Sequence, residues 1–516
     1  MESPYSSLPL LESELYAHYV WIRNKLRKIN PNGAILYFIS KLPKKIGVDY
    51  QDWRFYEPWL VFCLIRWTIE EASHFVRKER FDDKTGIALI NHAKKFQDFF
   101  RLKSECDVTM FMKNLAVQQF WHQQPFSWRD LLIERLLFCD LDKMHSIRKL
   151  IIDETGFEPF ELLEFALIIN MLFEKEDIIR FSIEPIWFVN LYELFPEPVI
   201  LKYLELMSSD MVSLEKMVCE LKPERRSLSV ELYDDPVFIE KPLLRTDKHF
   251  IVYSPALLVR SATFILRRLI DSKGSATDKQ KFQRRFEDLV LKIGNETGKV
   301  LLNEEALIAL IPGKSVVDFI LQDEDVNIFV ECKAVEASAP LIRARDTQQL
   351  YRAIKSNVFK GLGQGGKCLA ELKRIKPENF AGAKKNFLLV VSLSDLFLPF
   401  GDLILRCSEK ERVDSLREEV GSAEELLGFE SISVISVRDF LLLVEMDFGK
   451  SSSLAKSMQS VQTNNSTNRT RKMDFAGNFS KEQMGGGILT PMFETSKEIL
   501  FSRLSDTLKK AERKNS

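Results

Sequence analysis

The chain reads as an α+β protein, with α/β character in its second half. A mainly helical first part leads into a unit of order αβββαβ, then a polar linker and one closing helix. Three observations predict this. Over residues 1–228, apolar residues recur at three- and four-residue spacing, as in WRDLLIERLLFCDLDKMHSIRKLII and PFELLEFALIINMLFEKEDIIRF. Between 299 and 437 they gather instead into short runs rich in β-branched and aromatic residues. From 451 to 487 they thin out into a stretch rich in Ser, Asn, Thr and Gly.

The helical region, 1–228, is punctuated at Pro31-Asn32-Gly33, Pro43, Pro58, Pro125 and Pro196-Glu197-Pro198. Its aromatic density, as in FYEPW at 55–59 and FWHQQPFSW at 120–128, reads as core. Residues 229–275 form a connector. FIEKPLLRTDKHFIVYSPALLVRS reads as two strands around Arg245-Thr246-Asp247-Lys248, then a helix from about Pro255. The polar DSKGSATDKQ at 271–280 marks the boundary to the next unit, 276–448.

That unit opens with a helix over about 277–296, whose buried face carries Phe282, Phe286, Leu289, Val290 and Ile293, with Glu287 at its edge. Strands are expected at 299–302 and 306–311. A hairpin follows, with Val316–Leu321 and Val326–Lys333 flanking the acidic turn at 322–325. Residues 344–373 read as helical, broken or bent around GLGQGG, and NFLLVVSLSDLF (386–397) and SISVISV (431–437) as strands, the second followed by the helix RDFLLLVEM. Residues 449–490 read as a flexible linker. The last helix, about 494–513, carries Glu494 and Glu498 early, Lys509, Lys510 and Arg513 late, and a Leu500, Leu504, Leu508 stripe suited to docking on the body or a second copy.

The hairpin carries the chemistry. Centred between Glu324 and Asp325, it sets Asp318 opposite Glu331, with Cβ atoms roughly 4.5–5.5 Å apart, close enough for both carboxylates to hold one cation. Glu331 and Lys333 share a strand face, and Cys332 points to the other. Charges in strands this apolar are costly to bury unless paired or bound to a metal.

Asp318, the Glu331-Cys332-Lys333 triplet thirteen positions on, and Glu287 on the preceding helix resemble the signature of the PD-(D/E)XK nucleases, the restriction-endonuclease-like fold. The residue before Asp318 is Val317 where the family signature has proline. The resemblance covers about 277–446. It implies a Mg²⁺ or Mn²⁺ site made by Asp318, Glu331 and the backbone carbonyl of Cys332, with Lys333 beside the attacking water and Glu287 assisting. It further implies a metal-dependent endonuclease acting on DNA, or on structured RNA such as tRNA. Its large helical region is similar to those of bacterial anti-phage effectors, where such a region serves sensing, targeting or assembly with a protein partner. Two other readings are a nuclease-like module that binds nucleic acid without cutting, and a helical scaffold.

Composition frames these readings. The 516 residues predict two or three domains. With 73 Lys and Arg against 74 Asp and Glu, the net charge of −1 excludes a globally basic nucleic-acid binder, so any attraction is local. It is found at 341–385, which holds eleven Lys and Arg and three Asp and Glu. Arg343, Arg345, Arg352, Lys355, Lys360 and Lys367 are the expected phosphate contacts. Gln348 and Tyr351 stand one residue short of the Gln-x-x-x-Tyr spacing of some recombination nucleases. The 7 cysteines form no C-x-x-C pair, which favours a reducing cytoplasm and no structural zinc. No secretory leader is expected from MESPYSSLPLLESELY. WLVFCLI and FALIINMLF are too short to cross a bilayer, so no membrane partner is expected. The Gly361–Gly366 match to G-x-G-x-x-G follows no buried strand, and Asp447-Phe448-Gly449 lacks other kinase elements. All 6 histidines lie at or before His249, which excludes histidine-based hydrolysis in the C-terminal half.

Overall fold

The computed structural model describes residues 10–42, 57–74, 81–98, 127–174, 182–220, 237–246, 249–344, 347–381, 384–398, 427–467, 469–472, 474–484 and 488–515, with residues 113, 116, 401 and 404. The protein is mixed α+β with a mainly helical first part, as its periodicity predicts.

The early helices are α1 (Leu10–Leu26), α2 (Pro31–Lys41), α3 (Pro58–Glu70) and α4 (Asp83–Asp98). They pack around Tyr19, Phe38 and Trp67, each at most 3 % exposed. The expected breaks at Pro31 and Pro58 are helix starts, where the fixed φ and missing N–H of proline cost nothing. Helices α5 (Trp128–Phe138), α6 (Ser146–Thr155), α7 (Pro159–Glu174), α8 (Glu197–Leu206) and α9 (Met211–Glu220) follow. A small sheet has the order β1-β4-β3-β2, from Ser182–Ile183, Phe250–Val252, Leu243–Arg245 and Ser208–Ser209. Its β3–β4 pairing, with Leu243 opposite Val252, matches the expected connector hairpin. Helix α10 (Pro255–Thr263) begins at the expected proline, and α11 (Ile265–Lys273) follows.

The larger sheet has five strands in chain order: β5 (Val300–Asn303), β6 (Phe319–Asp323), β7 (Val326–Lys333), β8 (Lys385–Ser392) and β9 (Ile432–Ser436). The first three pair antiparallel, and β8 and β9 run parallel to β7. Every residue of β7 up to Cys332 is buried, because helices cover both faces. One face packs on α12 (Ala276–Asn295), closed by a Ser275–Asp278 capping box, and on α18 (Val437–Phe448). The other packs on α13 (Glu304–Leu310), α15 (Thr347–Ile354) and α16 (Lys360–Ile375). The short helices α14 (Ala339–Arg343) and α17 (Pro377–Phe380) flank these.

Four expectations are corrected. Residues 306–311, read as a strand, lie in or end α13. Asn303 caps that helix by accepting from Ala306 N–H, and Glu304 and Glu305 occupy its first turn, so local capping outweighs the apolar alternation. The helical stretch expected to break at GLGQGG runs through those glycines; its irregularity is a π-helical turn at Lys355–Phe359. The flexible linker of 449–490 instead holds α19 (Leu454–Asn465), with Leu454, Ala455, Met458 and Val461 buried. Its first N–H groups meet Asp447, Asp323 and Ser453, and Lys299 bridges the two aspartates at 2.5 and 2.9 Å. Polar composition here supplies caps rather than freedom.

The fourth concerns packing across the expected boundary at 228, which itself lies outside the described residues. One apolar cluster joins Leu131, Phe138 and Phe165 of the helical part to Phe286, Val330 and Phe440 of the sheet unit and to Leu500 of α20 (Pro491–Asn515). Arg129 donates to both oxygens of Glu445, and buried Arg267 pairs with Glu134 and donates to Leu393 O. Helix α20 docks on α5 of the same chain, where Arg135 donates to Ser496.

Glu164 on α7 gives a pH prediction. Its side chain is 0 % exposed, neither carboxylate oxygen finds a hydrogen-bond donor, and burial pushes it up to about 7 although Arg503 stands 3.2 Å away. The folded group therefore keeps a proton that the unfolded chain releases near 4.5. The contribution of Glu164 to stability is greatest below that value and falls as pH rises to about 7. Thermal unfolding of Glu164→Gln is expected to show a smaller fall over this window than the parent.

Candidate active site

Three strand registers bring the acidic residues together. Asn303 pairs with Phe319, and Phe319 with Val330. One step further along the strands lie Glu304, Asp318 and Glu331, a row of carboxylates across the ends of β5, β6 and β7. The expected Asp318–Glu331 juxtaposition therefore lies on the observed register, one position past the last formal pair. Beside them on β7 is Lys333, and from the opposite layer α12 brings Glu287.

Each side chain is held. Asp318 Oδ2 accepts the Cys332 N–H at 2.5 Å. Glu331 is 2 % exposed; its Oε1 accepts from Lys333 Nζ at 2.5 Å, and its Oε2 is buried without a hydrogen-bond partner. Lys333 Nζ also donates to Gln364 Oε1 at 3.3 Å, and Gln364 Nε2 donates to Val316 O at 3.3 Å. Gln283, one turn before Glu287 on α12, donates to Glu287 Oε1 at 2.7 Å and to Cys332 O at 3.0 Å.

The electrostatics follow from burial and like charge. Burial, then the Asp318 charge, pushes Glu331 up to about 8 against the pull of Lys333. Burial raises Asp318, while the Cys332 hydrogen bond and Lys333 hold it down. Glu287 is raised by burial and by Asp318 and Glu304, opposed by the Gln283 hydrogen bond. Glu304 is raised by burial and by Asp318. Burial lifts the Cys332 thiol well above its ordinary value, so the side chain is inert and only its main chain faces the site.

Glycines let α16 close over this arrangement. A Cβ on Gly361 would stand 3.1 Å from Glu331 Cγ, and one on Gly365 would stand 2.6 Å from Leu388 Cδ1. The π turn just before re-aims the helix so that these glycines face the sheet. Gly365→Ala gains roughly 1 kcal/mol of helix propensity but overpacks a buried leucine at a cost of about 1–3 kcal/mol. Urea unfolding is expected to show net destabilisation.

Of the expected phosphate contacts, Arg352, Lys355, Lys360 and Lys367 are exposed on α15, the π turn and α16. Lys360, Gln364 and Lys367 fall within about a 60° arc of one helix, so the amide that reaches Lys333 is flanked by two cations. Arg343 ends α14, its side chain outside the described residues, and Arg345 lies outside them altogether. Buried Tyr351 faces Phe359 in the core, and Gln348 is exposed.

Gln283, Glu304 and Gln364 were not legible as site residues. Gln283 had a signal, its four-residue spacing from Glu287 on one helix face. Glu304 follows β5 directly, but the misassigned strand at 306–311 hid its place. Among the described residues, no three His, Cys, Asp or Glu side chains gather as a ready-made metal cage. The donor set implied by resemblance uses two carboxylates and a main-chain carbonyl. No helix among the described residues is long and apolar enough to cross a membrane. Set against family models, curated proteins and solved structures, the chain matches none.

Proposed function

We propose that the chain is a divalent-metal-dependent nuclease of the PD-(D/E)XK type, hydrolysing phosphodiester bonds in DNA or structured RNA. The observation that carries this reading is the Glu331 Oε2 atom, buried and unpartnered within a row of carboxylates. A buried carboxylate that Lys333 pairs at only one of its two oxygens is costly to leave so, and a cation at the other oxygen relieves that cost. The order helix, antiparallel strands, helices, parallel strand also supports the resemblance.

The residues fit Mg²⁺ or Mn²⁺. All the donors are oxygens, Glu331 has an open acceptor, and the Cys332 carbonyl keeps a second lone pair beyond the one Gln283 uses. When bound, the metal supplies an acidified water and neutralises charge on the phosphate. Asp318, Glu331 and the Cys332 carbonyl would hold it, and Glu287 would assist from α12. Lys333, oriented by Gln364, donates to the attacking water or to a phosphate oxygen. Lys360 and Lys367 pair with backbone phosphates on either side. The helices ahead of the sheet set when or where cutting occurs, through a protein partner or a second copy, consistent with a defence effector.

Incubating the full chain with plasmid, linear duplex, single strands and total RNA, with Mg²⁺, Mn²⁺ or EDTA, tests this. Cleavage that EDTA stops is expected, with Lys333→Ala losing turnover while still binding Mn²⁺. Absence of cleavage on every substrate, or cleavage indifferent to EDTA, overturns the reading. Metal-free, salt-sensitive binding without cutting would mark a nucleic-acid-binding module instead.

A further inference from the structure

Gln283 makes three polar contacts, one within its own helix and two with the end of β7 and the residue just past it, and only one orientation of its amide satisfies them all. Its Nε2 donates to Glu287 Oε1 at 2.7 Å and to Cys332 O at 3.0 Å, while its Oε1 accepts from Ala334 N–H at 2.8 Å. Flipping the amide would set an oxygen against a carboxylate and a carbonyl. The side chain thus ties helix α12 to the end of β7 on both sides of Lys333. It fixes where the Cys332 carbonyl and the Glu287 carboxylate point, two groups that chain connectivity does not hold together.

We propose that Gln283 is a positioning residue for the cation: it presets the Cys332 carbonyl and Glu287 as one rigid donor pair, so divalent-cation affinity depends on it. The inference rests on the metal-dependent reading above. The physical reason is that a ligand's direction is set by the group hydrogen-bonded behind it, and loss of such a partner weakens metal binding by about 10–100-fold. A side chain that only stabilised the fold would lower the unfolding midpoint without moving cation affinity.

The test uses the full chain and Mn²⁺ as the probe. Mn²⁺ binding is measured by calorimetry, and cleavage is measured as a function of Mn²⁺ concentration. Gln283→Met keeps length and helix propensity but makes none of the three hydrogen bonds. It is expected to weaken Mn²⁺ binding about 10–100-fold and to raise the half-saturating metal concentration by a similar factor. Metal-free nucleic-acid affinity is expected to stay within about threefold of the parent. Should Gln283→Met fail to fold, Gln283→Ala gives the same readout in a smaller, helix-compatible residue. Unchanged Mn²⁺ affinity in a folded variant overturns the proposal, as does a parent chain that binds no Mn²⁺. A parent that binds Mn²⁺ but cuts nothing overturns only the nuclease reading, and weaker binding in the variant then still supports the role of Gln283.

Discussion

Replacing Asp318 with Asn, or Glu331 with Gln, is expected to abolish metal-dependent cleavage while leaving the protein folded. Each substitution removes one of two carboxylates facing each other across the β6–β7 ends and keeps side-chain volume. An Asn oxygen can still accept the Cys332 N–H that Asp318 now takes, and a Gln oxygen can still accept from Lys333. The fold therefore loses little, whereas the cation loses a charged ligand. Metal stabilisation of a phosphoryl centre is worth several kcal/mol, and each 1.36 kcal/mol is tenfold in rate. The loss should be on the order of 10³-fold or more. Single-turnover cleavage at saturating nucleic acid measures it, with thermal unfolding as the control. A folded variant that cuts at the parental rate would remove that residue from the site.

A fragment spanning 271–448 is expected not to fold by itself, although it holds every candidate catalytic group. The outer face of α12 and α18 is covered by the earlier helices α5 and α6. Phe138 stacks on Phe282 at 5.3 Å between ring centres, Arg285 donates to the Leu136 and Leu137 carbonyls, and Glu445 takes both its hydrogen bonds from Arg129. Re-exposing a single large apolar side chain costs about 1.5–3 kcal/mol. Uncovering Phe282, Phe286, Leu289, Val290 and Phe440 together, about 7.5–15 kcal/mol at that rate, is comparable to the 5–15 kcal/mol or so that holds a typical domain. Near-ultraviolet circular dichroism and urea unfolding of the fragment, compared with the full chain, decide this. A cooperative transition in the fragment would show that the sheet unit is autonomous.

These two cases divide what the sequence reveals from what it conceals. The β6–β7 register was legible because a short acidic turn between two apolar runs admits few pairings, and a one-residue slip would send Asp318 and Glu331 to different faces. The start of α12 was legible because the polar DSKGSATDKQ gives way to an amphipathic run, though the Ser275–Asp278 capping box that closes it went unread. Residues 306–311 misled because a short apolar run does not separate strand from helix by periodicity alone. The cap at Asn303 and two acidic residues after it were the better guide. The packing of α19 was missed because its Ser453 cap and short apolar face are faint amid polar residues, and part of its hold comes from Lys299 and Asp323, far off in the chain. The same limit hid the joint core: periodicity shows that a helix has an apolar face, not which element covers it.

The docking of α20 on α5 carries a consequence for synthesis. Trp128 and Pro491, where these helices begin, are 363 positions apart (491 − 128). At about 5–20 residues per second, α5 waits roughly 20–70 seconds on the ribosome for the helix that covers it. During that interval the α5–α7 surface, with Glu164 and its neighbours, is open to chaperones and to other nascent chains. A message cut short before the codon for Pro491 yields a product that cannot seal this face. On the nuclease reading proposed above, arrival of α20 would then act as a quality check on the body that supports the site.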